Sequence, residues 1–258
     1  MIQRAGKLPY RSISGIPLNQ PETLPAQLCK SISNPEPFKL SDGEIYFLWW
    51  FIQGSIMSPM TRKRLWNGWG MCERHAWAFI AVEAAFRGDY LMGPAILYED
   101  LMQRALASFF PRGLMKLVRI KRGFYEKGPC LMCEIGYGPD SRSFAGPDLL
   151  EKGRDLTEIQ TFAQKTYHYW GKTVCGRCAE NSSYQRCRRH LIESISQGRV
   201  NDLSLHVKLV DYIARHIKIY MRSFRWENRG TETVEDVAAL ISAVGWCNGW
   251  KPLFSIMA

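Results

Sequence analysis

The stretch Cys175-Gly176-Arg177-Cys178-Ala179-Glu180-Asn181-Ser182-Ser183-Tyr184-Gln185-Arg186-Cys187-Arg188-Arg189-His190 decides how this chain is read. It holds two ligand-type pairs, Cys175/Cys178 and Cys187/His190, with eight residues between them. Three thiolates and one imidazole complete the tetrahedron that structural zinc prefers and leave no position for a reactive water. A short loop between the pairs closes at small entropic cost. Gly176 permits a tight knuckle after Cys175.

Two more pairs lie upstream, Cys72-Glu73-Arg74-His75 and Cys130-Leu131-Met132-Cys133. If Cys72 and His75 fall in the first turn of a helix, their spacing puts both on one face, aimed at one ion. In the Cys130–Cys133 turn, two thiolates can converge on one ion while backbone N–H groups bond the sulfurs. The four pairs supply six cysteines and two histidines, enough for two four-ligand sites. One grouping sets Cys175, Cys178, Cys187 and His190 together and leaves Cys72, His75, Cys130 and Cys133 as a long-range site. Another joins Cys130/Cys133 to Cys187/His190 and Cys72/His75 to Cys175/Cys178. The sequence leaves both open.

Eight cysteines would make four disulfides in an exported protein. Here six of them sit in these pairs, and the first nine residues carry basic side chains with no apolar run behind them. No signal peptide is expected, and the pairs read as metal ligands in a reducing, cytoplasmic setting. The most apolar run, Ile45 to Ile52, is far short of a membrane span.

Residues 1–40 are rich in Pro, Ser and Asn and read as an irregular arm, with Cys29 alone in it. Residues 41–258 read as a helical metal-binding body, with possible halves 41–127 and 128–258. Ser41 and Glu44 form a capping-box signal ahead of a helix that is apolar nearly all round, and Pro59 is expected to close it. A second helix should start at Cys72 and stop at Gly88, and a third should run from about Pro94 to Phe110. Leu114 to Ile120 is a short basic-apolar segment, and residues 136–153 read as a surface loop. Asp155 to Glu158 resembles a cap for a helix through Trp170. Asn201-Asp202 is expected to cap the longest helix, Leu203 to Trp226. Thr233 should cap a last one, followed by an apolar tail with Trp246, Cys247 and Trp250. Strand-like alternation is almost absent, so the fold class is mainly α: an irregular helical bundle with two metal-stapled Cys/His loops.

The chain has 34 basic and 24 acidic side chains, a net charge of +10. Two Cys3His–zinc sites, each carrying about one negative charge, would leave about +8. The excess favours an anionic partner such as nucleic acid or a phospholipid surface. Candidate nucleic-acid contacts are Arg62, Lys63 and Arg64, then Arg177, Arg186, Arg188 and Arg189 around the metal ligands. Lys208, Arg215, Lys218 and Arg222 add a basic face on the longest helix.

The two Cys-x-x-His elements form a weak internal repeat, each opening a helix. The run Gly70-Met71-Cys72-Glu73-Arg74-His75-Ala76-Trp77 is followed by Ala95-Ile96-Leu97-Tyr98-Glu99-Asp100-Leu101, then by Cys130-x2-Cys133 and Cys187-Arg188-Arg189-His190-Leu191. Together they resemble an uncharacterised prokaryotic family of helical Cys/His-rich proteins, domain of unknown function 6062. The resemblance spans roughly residues 60–245 and implies no activity. Members are expected to carry a CxxC ahead of the first CxxH, where this chain has only Cys29.

The chain lacks GxGxxG, a phosphate-binding glycine loop, GxSxG and HExxH. A zinc deaminase needs its glutamate two residues after a ligand, whereas Glu73 adjoins Cys72. His206 and His216, ten residues apart on one helix, point about 80° away from each other. The expected function is therefore a non-enzymatic, zinc-stabilised binding or scaffold protein holding two Zn2+, with nucleic acid the leading partner and a protein partner possible. The competing expectation is a redox protein or enzyme that uses the same thiolates for an iron–sulfur cluster.

Overall fold

The computed structural model describes residues 37–200 and 202–258. Most of the Pro-rich arm, with Cys29, lies outside the described residues, as does Asn201. Among the described residues every regular element is helical, as the pattern predicts.

Helix α1 (Asp42–Phe51) starts on the expected box: Ser41 caps the Glu44 N–H, and the Glu44 carboxylate accepts from the Ser41 N–H. Ile45, Leu48 and Phe51 point inward, but Tyr46 and Trp50 are exposed, so α1 is not buried all round. It ends at Phe51. Pro59 does not close it; Pro59 is the first residue of α2 (Pro59–Asn67), where its missing N–H has no helical partner to lose.

Cys72 is the N-cap of α3 (Glu73–Arg87), and every residue from His75 to Ala84 is buried. Four of the five alanines on this helix, Ala76, Ala78, Ala81 and Ala84, are buried and let neighbours approach on several sides. Then follow α4 (Met92–Phe109), α5 (Lys116–Phe124) and the single turn α6 (Leu131–Glu134). The expected loop at 136–153 contains a helix, α7 (Pro147–Arg154), packed on α1 and α3. The segment before it is pinned to α1 by Gly43, whose N–H donates to Ser141 O at 2.9 Å. Gly43 is required there, because a Cβ would lie 2.5 Å from that of Ser141.

Helix α8 (Thr157–Trp170) and the Cys-rich loop lead to α9 (Arg188–Ser196) and α10 (Ser204–Ser223), the longest helix. Asp155 and Asp202 do not cap by the expected pattern. Each accepts the N–H two residues on, a turn that precedes the helix. Thr233 does cap α11 (Val234–Asn248), with Asp236 completing the box. The expected apolar tail is in fact core: α11 is buried from Asp236 to Asn248, and α12 (Lys251–Met257) closes over it.

Two buried helices therefore organise the body. α3 is flanked by α1, α7, α8 and α12, and α11 by α4, α8, α9 and α10. They also touch each other, so packing crosses the possible boundary at 127/128. Each large apolar side chain they bury contributes roughly 1.5–3 kcal/mol. On another side of α11, Trp246 meets Trp69 and Phe124, and the guanidinium of Arg104 lies 4.0 Å from the centre of the Trp69 ring.

Candidate metal centres

The fold brings the eight ligand-type side chains into two groups: Cys72, His75, Cys130, Cys133 and Cys175, Cys178, Cys187, His190. Within each group the ligand atoms all lie within 4.8 Å of one another. This settles the grouping in favour of one local and one long-range site.

The first group is assembled by tertiary packing. Asn248, at the end of α11, donates to Trp69 O at 2.9 Å and to Met71 O at 2.5 Å, and accepts from the Tyr98 hydroxyl at 2.7 Å. That grip holds the backbone that delivers Cys72 to the N-cap of α3. His75, one turn later, presents Nδ1 at 3.2 Å from Cys72 Sγ and 3.4 Å from the sulfurs of Cys130 and Cys133. Cys133 and Cys72 are 3.8 Å apart.

The second group is a knuckle followed by a helix cap. Cys178 N and Ala179 N both bond Cys175 O at 3.0 Å. Gly176 is needed for close approach rather than for a special φ, since a Cβ would meet Ser183 O at 2.1 Å. His190 Nδ1 lies 3.2 Å from Cys175 Sγ, 3.4 Å from Cys178 and 3.3 Å from Cys187. Cys178 and Cys187 are 3.8 Å apart.

A tetrahedral ion with bonds of about 2.3 Å to sulfur and 2.0–2.1 Å to nitrogen has S···S edges of about 3.8 Å and S···N edges of about 3.5 Å. Both groups match this figure closely, so each could hold a single metal ion. The thiols are mutually dependent in the same sense. Hydrogen bonding from Cys72 holds Cys130 down at about 3, and the same contact pushes Cys72 up. Contact with Cys178 and Cys187 lowers Cys175, whereas its own proximity raises Cys178 and moves Cys187 up to about 12. Thiols that cannot ionise side by side can do so around a divalent cation.

The weak repeat in the sequence has a structural counterpart. Cys72 and Cys187 are both N-caps, with φ/ψ of −65°/169° and −68°/166°, and each histidine sits at the third helical position. The repeats also touch: Arg189 lies 3.8 Å from both Glu73 and Glu126.

One functional residue escaped the sequence. Glu44 is fully buried and accepts from His75 Nε2 at 3.1 Å, so it orients the imidazole whose Nδ1 faces the sulfurs. Burial opposes its ionisation, but the Arg74 guanidinium, His75 and the Ser41 N–H outweigh it and hold the carboxyl at about 2. Its role as a cap was legible; its reach to His75 needed the tertiary fold.

Arg188 is a correction. Expected to meet a partner, it is 1% exposed and donates to Cys247 O, Phe124 O and Glu126. It anchors α9 to the core. Arg62, Arg64, Arg177 and Arg189 face Asp100, Glu134, Glu193 and the Glu73/Glu126 pair. Arg186 donates to the carbonyls of Ser183 and Gln185. Lys63, Lys208, Arg215, Lys218 and Arg222 are exposed.

The remaining cysteine and histidines among the described residues stay apart from both groups. Cys247 is buried beside Met102, its thiol raised to about 12 by burial. His168 is exposed on α8. His206 is buried, whereas His216 bonds Asp236 at 2.7 Å, so they share no site. No helix among the described residues is long and apolar enough to cross a membrane. No family model matches the chain, and no curated protein or solved structure matches it either.

Proposed function

We propose that this chain is a non-enzymatic helical scaffold stabilised by two structural zinc ions, which binds nucleic acid along α10. The convergence of four ligand atoms within 4.8 Å in each group carries the reading. Three thiolates and an imidazole fill the four positions of one ion, which leaves none for substrate or water. An iron–sulfur cluster would spread its thiolates over several irons, a looser arrangement than this one. Zinc therefore fits the donor set better than a cluster does.

The partner reading rests on the basic side chains that lie along the exposed side of α10. Lys208, Arg215 and Arg222 recur every seven residues on α10, with Lys218 beside them, all exposed, and Arg215 also pairs at the surface with Asp211 at 3.0 Å. Seven-residue steps stay on one face, so the stripe covers about 21 Å of helix. Phosphate contacts of this kind give affinity that falls steeply with salt. Titration of the whole protein with duplex and single-stranded DNA and RNA at several salt concentrations is the test. The expected result is binding that weakens with salt and is lost in a K208E/R215E/R222E variant with unchanged metal content. Salt-insensitive binding, or binding kept by that variant, would contradict the assignment.

A further inference from the structure

The segment from Phe110 through α5 plays no part in either metal group or in the α10 stripe. Its outward side chains are unusually apolar: Leu114 is 87% exposed, Met115 71%, Phe110 64%, Val118 55% and Leu117 50%. Ile120 and Phe124 are fully buried and hold the helix to the body. The loop before α5 is pre-shaped. Arg119 Nη1 donates to Arg112 O at 2.9 Å, and Arg119 N to Met115 O at 3.1 Å. Met115 itself is left-handed, at φ +60°. That conformation costs a residue with a Cβ about 1–2 kcal/mol, and it leaves Leu114 and Met115 both projecting into solvent.

The charges carried by this segment of the sequence have one sign. Between Asp100 and Glu126 the sequence has no carboxylate, while Arg112, Lys116, Arg119, Lys121 and Arg122 cluster on and before α5. We infer that this segment is a docking surface for an anionic phospholipid bilayer. Projecting leucine, methionine, valine and phenylalanine enter the boundary between headgroups and acyl chains, and the basic side chains stay at the level of the phosphates. Each Lys or Arg held near such a surface adds roughly 1 kcal/mol. A nucleic-acid backbone would use the cations but gain little from the exposed aliphatic groups. The combination therefore favours lipid over a second polyanion site.

The test is co-sedimentation of the whole protein with vesicles of phosphatidylglycerol and phosphatidylcholine, against vesicles of phosphatidylcholine alone. Binding is expected only to the anionic vesicles, weaker at high salt. An L114S/L117S/V118S variant should bind at least about tenfold more weakly. These side chains are exposed, so the variant should keep its helicity and metal content, and K208E/R215E/R222E should bind vesicles as the parent does. The inference is overturned if the parent ignores anionic vesicles or binds neutral ones equally. It is also overturned if the serine variant binds undiminished, or if an acidic peptide or RNA, rather than vesicles, is what those three residues capture.

Discussion

The two candidate metal centres offer the same donor set, three cysteines and one histidine, but solve different problems. The second draws its ligands from one short stretch, with Cys178 and Cys187 nine positions apart, and buries all three of its cysteines. The first joins His75 to Cys130 across 55 positions and leaves Cys133 exposed. Closing the longer loop costs about 1.6 kcal/mol more, by the logarithmic dependence on loop length. Packing meets that cost: α3 is buried in the core, Asn248 grips the Trp69–Met71 backbone, and Glu44 fixes His75. The stretch from Val174 to Cys187 has no helix of its own. On the zinc reading, the first centre would fasten helices that already pack, whereas the second would supply the order of its loop.

Removing ligands separates these roles. Cys178→Ala should have the largest effect, more than about 4 kcal/mol, since metal-binding energy there is folding energy. It should lose one metal and open the loop, checked by metal content and amide exchange across residues 174–190. Cys133→Ala should cost less, roughly 2 kcal/mol, because water can reach the exposed fourth position. Thermal melts of the two variants side by side measure the difference, and equal losses would break the distinction.

Glu44→Gln is expected to act on the first centre alone. The loss of the carboxylate behind His75 should weaken its metal by about ten- to a hundredfold. Chelator competition should then release one ion early and the other at the parental rate.

A pH-dependent effect is expected on α3 away from its metal end. Glu83 is buried with Oε1 accepting from the Gly93 N–H at 3.0 Å, and burial raises its carboxyl to about 7. A carboxyl raised on folding favours the folded state below its unfolded value, near 4.5, and that advantage is lost as pH rises through 7. Glu83→Gln should therefore stabilise the protein at pH 8, by on the order of 3 kcal/mol at most. Denaturant melts at pH 5 and pH 8 read the change, and a gain that is the same at both would disprove it.

Much of this was legible in the sequence, for local reasons. Ser41/Glu44 and Thr233 mark helix starts because a cap is satisfied within three residues. The Cys175–His190 spacing announces its site because the whole ligand set is local. The partition of the other pairs was not legible, since Cys72 and Cys130 meet only through the packing of distant helices. Nor was Arg188: its neighbours in sequence are ligands and cations, and only the fold shows that Cys247 and Phe124 carbonyls await it. Pro59 misled because a proline ends one helix and begins another with equal ease. Trp246 and Trp250 lie toward the end of the chain, yet they pack at its centre.

The most direct test of the central claim is X-ray absorption, with metal quantification, on anaerobically purified protein. The account predicts two zinc ions per chain, each with three sulfur neighbours at about 2.3 Å and one nitrogen at about 2.0–2.1 Å. Iron with sulfide and iron–iron scattering, or a centre with a water in place of one protein ligand, would contradict it.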